Sequence, residues 1–350
     1  MKIAFTSCMS ATAYPRQPVW EQILAQTPYA LVLLGDSIYN DCPHPLVNGD
    51  FIHPKDPAFK DDAFCKHVHG LYTQQLAVPE FKALIGKLSI YTIWDDHDFL
   101  WNDADASDSQ TVLNRGKAYY SSQLFQCWRE ALKIGGQSFP KSHGVARIQK
   151  DYANLINEDY NAFMPGYSTI EITKKKIILH LTDGRSWRKG GILGTGQRSM
   201  LGTGQRLAME DMFKDNPNAL HLIASGSTFG GRGNQGWAGY PLDYEWLFKL
   251  SSQYKILMLS GDIHQNRFSA PIGYNGSTGG MKLFEATSSG AAIDFIHVHD
   301  NGQSSTKDKF NYSEHFGILD LKTNGDIDVS LYDHNKILPN MKITIPASFQ

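Results

Sequence analysis

The chain has 350 residues, enough for one large domain or two medium ones and ample to bury a sizeable core. Its 41% hydrophobic and 19% charged residues, with formal net charge −2, are ordinary for a globular protein. No basic excess points to nucleic acid, and no acidic run points to a disordered arm.

The start, MKIAFTSC, runs straight into a strand-like pattern, without the basic region, apolar segment and cleavage site of a secretory signal. No stretch approaches the roughly 18 consecutive apolar residues of a membrane span. The expectation is a soluble protein, cytoplasmic by default and exported if a leader has been removed. Cys8, Cys42, Cys65 and Cys127 form no CxxC pair, which argues against a zinc ribbon or a disulfide framework and leaves a single disulfide open.

Short apolar runs recur along the chain and stop at polar residues: Lys2 to Cys8, Ala30 to Asp36, Ser89 to Asp98, Lys176 to Arg185, Leu220 to Ser227, Lys255 to His264 and Lys282 to Ser289. Such runs suit strands buried on both faces. Helical patterns lie between them, at Val19 to Ala25, Ala58 to Lys87 with a break at Pro79, Leu113 to Leu132, Thr203 to Asp215 and Leu242 to Ser252. This alternation predicts an α/β architecture with helices over both faces.

Pro43 to Asp62 reads as a surface insertion over the strand ends. LGTGQR occurs at Leu193 and again at Leu201; it lacks the Lys-Ser/Thr ending of a P-loop and reads as a loop capping the helix that follows. Phe316 to Asp333 alternates on either side of Asn324-Gly325 and predicts a C-terminal β-hairpin with a type I′ turn. No linker separates two domains.

In sheets of this kind ligands bind beyond the carboxyl ends of strands. There the sequence places GDSIYND (Gly35 to Asp41), WDDHDFLWND (Trp94 to Asp103) and GDIH (Gly261 to His264). Carboxylate, phenol, amide and imidazole groups in this mixture suit a pair of Lewis-acidic metal ions. His67, His69, His297 and His299 also show H-x-H spacing but lack strand-end context, so they read as packing residues. Asp98, Asp103 and Asp105 read as capping or supporting groups, and Asp95 as either support for the site or structure. A serine esterase would need a G-x-S-x-G elbow, which is absent.

Taken in order, FTSC, GDSIYND, WDDHDFLWND, LTDGRSWR, GWAGYP, LSGDIH and EATSSG resemble the PhoD-like alkaline phosphatases of the calcineurin-like metallophosphoesterase superfamily, over roughly Lys2 to Gly290. The resemblance implies two facing mixed β-sheets flanked by helices and a single catalytic domain spanning 1–350. It also implies hydrolysis of phosphate monoesters, diesters or both by a hydroxide held at a dinuclear centre. A metal-containing binding or regulatory protein on the same scaffold is the second reading.

Carried over by position, Asp36 would bridge two metals, with Cys8, Tyr39 and His264 completing a site for Fe(III). Asp262, Asn102 and Asp96 would hold a second ion, Ca(II) or else Mn, Mg or Zn. His97 would approach substrate and leaving group, and Arg185 would clamp phosphate oxygens or tie down a carboxylate. The expected partner is a small or polymeric phosphate ester; oligomeric state is left open.

Overall fold

The structure, a computed structural model, describes residues 1–42, 52–133, 135–142, 166–174, 176–188, 198–230, 235–269, 283–293, 314–333 and 336–348. Residues 193–197 of the first LGTGQR copy, His297, His299 and Lys282 therefore lie outside the described residues, as do 43–51 of the expected insertion.

Among the described residues, twelve strands form two six-stranded sheets. In the first, β1 (Lys2–Thr6), β2 (Ala30–Leu34) and β3 (Ser89–Ile93) run parallel. Antiparallel β10 (Phe316–Leu321), β11 (Ile327–Asp333) and β12 (Lys336–Ile345) extend it beyond β1. In the second, β5 (Ile177–Leu181), β6 (Leu220–Ser225), β7 (Lys255–Ser260) and β9 (Phe284–Ser288) run parallel between two antiparallel edges, β4 (Ser168–Thr173) and β8 (Asn266–Ser269).

The two-residue period of a strand explains the layers. On the first sheet Ile3, Phe5, Val32 and Leu34 meet Leu179, Leu222, Ala224, Leu257 and Leu259 of the second in one shared core. Ala4, Leu31, Leu33 and Ile90 face the other way and pack under α1 (Val19–Ala25), α2 (Asp61–Ala77), α3 (Pro79–Leu84) and α5 (Val112–Lys133). Ile223, Ile256 and Met258 pack under α6 (Gly202–Asp215) and α7 (Pro241–Ser251). The result is helices, sheet, sheet, helices, which is why the parallel strands read as unbroken apolar runs. Among the described residues no helix is long and apolar enough to cross a membrane.

Pro79 and Pro241 occupy the first turns of α3 and α7, where a missing N–H costs nothing. The expected break at Pro79 is thus the boundary between α2 and α3. The β10–β11 hairpin forms, but its turn is not type I′: Gly325 has φ +91, whereas Asn324 is not among the residues with positive φ. Gly325 N–H donates to Lys322 O and Lys322 N–H to Asp326 O, the pattern of a type I turn closed by a glycine bulge. In the described part of the insertion, buried Lys117 donates to the carbonyls of Pro54 (2.5 Å) and Asp56 (3.2 Å), pinning the segment against α5.

Candidate metal centre

Chain turns at the strand ends build the site. β1 is followed by Cys8 at φ +64, β2 by Gly35 at +93 and Asp36 at +52, and β7 by Asp262 at +71 and His264 at +49. A non-glycine residue in this region costs on the order of 1–3 kcal/mol, and such strain gathers at functional sites. Four of the seven positive-φ non-glycine residues among those described lie in these turns. Close approach demands two glycines: a Cβ on Gly35 would sit 2.6 Å from Asp95 Cβ, and one on Gly226 2.3 Å from Asp95 Cγ.

The turns bring side chains from four strands together. Asp36, Asp95 and Asp262 offer ligand atoms that all lie within 4.8 Å of one another, and so do Asp36, Asp96 and His97. Asp36 belongs to both groups. Its Oδ2 accepts from Cys8 Sγ at 3.3 Å. Tyr39 OH and His264 Nε2 are 2.9 Å apart, and the Tyr39 ring packs on His97 with centroids 4.2 Å apart. Asn102 lies on an exposed turn; the contact it makes inward is its backbone N–H, which donates to Asp41 Oδ2 at 2.7 Å.

So many buried acceptors need compensation. Asp36 Oδ1, Asp95 Oδ2, Asp96 Oδ1 and both amide atoms of Asn40 find no hydrogen-bond partner among the described residues. An unsatisfied buried polar atom costs about 1–3 kcal/mol, more when charged. Burial, then the neighbouring charges of Asp96 and Asp95, push Asp262 up to about 8. Burial, followed by Cys8 and the other carboxylates, holds Asp36 well above the usual carboxylate range. Burial raises the Cys8 thiol to about 11, against hydrogen bonds from Ser289 and Ser7 that favour the thiolate. Oxygen, sulfur, phenol and imidazole donors with unpaired lone pairs in an electronegative pocket fit metal cations.

Arg185, wholly buried, supplies fixed positive charge that partly balances this pocket. Its Nε donates to Asp95 Oδ1, Nη1 to Ala104 O at 3.4 Å, and Nη2 lies 3.4 Å from Asp96 Oδ1. Of the two roles expected for Arg185, the structure places the guanidinium on carboxylates. Burial alone would raise Asp96, but Arg185 and His97 overcome it and hold the carboxyl down at about 2.

Three further groups support the site, of which Asp98 caps as expected from sequence. Asp41 Oδ1 lies 2.5 Å from His97 Nδ1. Burial opposes a charged imidazole, yet Asp41 and then Asp96 outweigh it and raise His97 to about 9. Asp98 closes a capping box with Asp95 at the start of α4 (Asp96–Phe99) and accepts from Ser37 N–H and Tyr72 OH. Ser289, in the chain just after β9, lies with its Oγ 3.2 Å from Cys8 Sγ. The spacing of Asp41 within GDSIYND marked it as a strand-end carboxylate, but its partner is 56 residues away. His67 and His69 pack as expected, on Asn40 O and Pro140 O respectively.

No protein-family model matches the sequence, and no curated protein matches it significantly. Among solved structures the fold matches that of PhoD, with TM-score 0.65 and 16% identity over 99% of this chain and 68% of PhoD. A structure assigned as a 5′-nucleotidase from Staphylococcus aureus, in complex with alpha-ketoglutarate, aligns at TM-score 0.41 and 9% identity over 99% of this chain and 54% of that one. The chain therefore has the PhoD fold, two mixed sheets face to face between helices.

Proposed function

We propose that the protein is a metal-dependent phosphoric ester hydrolase, and that its described segments form one catalytic domain. The observation that carries this reading is Asp36, shared by two candidate ligand groups in which one oxygen each of Asp36, Asp95 and Asp96 finds no hydrogen-bond partner among the described residues. The PhoD fold and the ordered motifs agree with it.

In this reading Cys8, Tyr39, His264 and Asp36 would hold an Fe(III) ion, while Asp36, Asp262 and Asp96 would hold a divalent ion, Ca(II) or a substitute, with Asn102 joining only if its exposed side chain turned inward. Such a pair supplies Lewis acidity, which activates water and draws charge from the phosphoryl group. The chain supplies the rest. Asp41 holds His97 by Nδ1 and favours its charged form, leaving Nε2 to give a proton to the departing ester oxygen. Arg185 fixes Asp95 and Asp96, so the acidic cluster keeps its shape as substrate enters. Ser288 and Ser289 are engaged with Asn266 and Cys8, which argues against a serine nucleophile.

The test is hydrolysis of p-nitrophenyl phosphate and bis-p-nitrophenyl phosphate before and after a strong chelator, with each metal restored in turn. Loss on chelation and recovery with metal is expected, and the ratio of the two rates distinguishes monoesterase from diesterase. Hydrolysis indifferent to chelation would overturn the metal mechanism. Tight metal binding without turnover on either ester would identify a binding protein.

A further inference from the structure

Ser289 sits where two prospective metal ligands from different strands meet. Its Oγ accepts the backbone N–H of His264 at 2.9 Å and lies 3.2 Å from Cys8 Sγ. A hydroxyl has one hydrogen. With the amide occupying an acceptor position, that hydrogen is available to point at sulfur. The second hydroxyl at the same sulfur is Ser7 Oγ, also at 3.2 Å.

The placement of Ser289 is rigid. Gly290 N–H and Ala291 N–H both donate to Ser7 O, Ala292 N–H to Cys8 O, and Ser10 N–H to Ala292 O, so the chain after β9 is laced along the Cys8 turn. His315 Nδ1 holds Ser289 O at 2.7 Å. Ser289 is fully buried, so no water competes for its hydroxyl. The neighbouring Ser288 points elsewhere, donating to Asn266 Oδ1 at 2.8 Å.

We propose that Ser289 is a positioning residue of the metal centre: it donates a hydrogen bond to the Cys8 sulfur while accepting one from His264, locking these two ligands together and drawing charge from the sulfur. The proposal rests on Cys8 being a ligand, as in the function proposed above. Hydrogen bonds to a ligating sulfur lower the energy of its lone pairs and tune the metal it holds. Loss of the donor raises those orbitals, so sulfur-to-metal charge transfer needs less energy.

The probe is Co(II) added alone to the metal-stripped protein, read by the near-ultraviolet charge-transfer band that a thiolate ligand produces. In the wild type the band appears and is lost in Cys8→Ser. In Ser289→Ala it moves to longer wavelength, and Co(II) binds about 10-fold more weakly. Ser288→Ala leaves both unchanged. If Ser289→Ala does not fold, Ser7→Ala removes the other hydroxyl from the same sulfur and must show the same direction of shift. An unmoved band in a folded Ser289→Ala, or an equal shift in Ser288→Ala, would overturn the role of Ser289 and leave the metal site standing. A wild type that binds Co(II) without a thiolate band would overturn Cys8 as a ligand, and the proposal with it.

Discussion

Stripping the metals should make stability depend on pH in a direction opposite to ordinary acid denaturation. Burial first, then neighbouring carboxylates, place Asp262 at about 8; burial places Asp98 at about 7, while Asp41 and Asp96 lift His97 to about 9 against its burial. All three values lie above those of the unfolded chain. The folded state therefore binds more protons than the unfolded state, and stability grows as pH falls through these values. Between about pH 8.5 and about pH 6.5 the three titrations together contribute on the order of 5 kcal/mol.

Lower down, a second group opposes them. His180 and His221, joined Nε2 to Nδ1 at 2.9 Å beneath Phe213, are held neutral by burial, with His221 lowered to about 4. Their depressed values mean stability is lost from about pH 6.5 downward, and His221 alone removes about 3 kcal/mol by about pH 4. The rise therefore levels off in that range. Urea unfolding of chelator-treated protein across this range reads the slope directly, and saturating metal should flatten it because cations then neutralise the same carboxylates. Metal-stripped protein whose stability is flat or increases from pH 6.5 to 8.5 would refute the electrostatic account of the site.

Three other outcomes test particular contacts. Arg185→Met leaves Asp95 and Asp96 buried without their cation and should cost about 3–5 kcal/mol in urea unfolding without metal; a loss below about 1 kcal/mol would show that the pair is not buried as described. Asp41→Asn removes the carboxylate that holds His97 charged, so hydrolysis of an alkyl phosphate should fall about 100-fold, with p-nitrophenyl phosphate, whose leaving group needs little protonation, much less affected. Equal loss on both substrates would remove His97 as proton donor. Protein loaded with Fe(III) should show a visible tyrosinate band that vanishes in Tyr39→Phe; a colourless wild type would exclude Fe(III) from the Tyr39 site.

Sequence reading succeeded where the signal is local. The parallel strands are buried on both faces, so β1, β2, β3, β5, β6 and β7 appear as largely apolar runs, and helices between them end near their expected limits. Three of the four edge strands among the described residues escaped. β4 and β8 are partly exposed over their length, and β12 contains Pro339 and Asn340, so none presents an uninterrupted apolar run. The type I′ reading of Asn324-Gly325 failed because the residues around the turn selected a longer loop, with glycine taking the single left-handed position.

The acceptors themselves, and their order along the chain, follow from sequence alone: a strand buried on both faces must end where polar residues begin. What each acceptor does was decided by packing. Arg185 reaches Asp95 across 90 residues, Asp41 reaches His97 across 56, and Ser289 reaches Cys8 across 281. A hydrogen bond forms or fails over a few tenths of an ångström. Distances of that order are set where two sheets stack and their strand ends meet, and no local pattern in the chain records them.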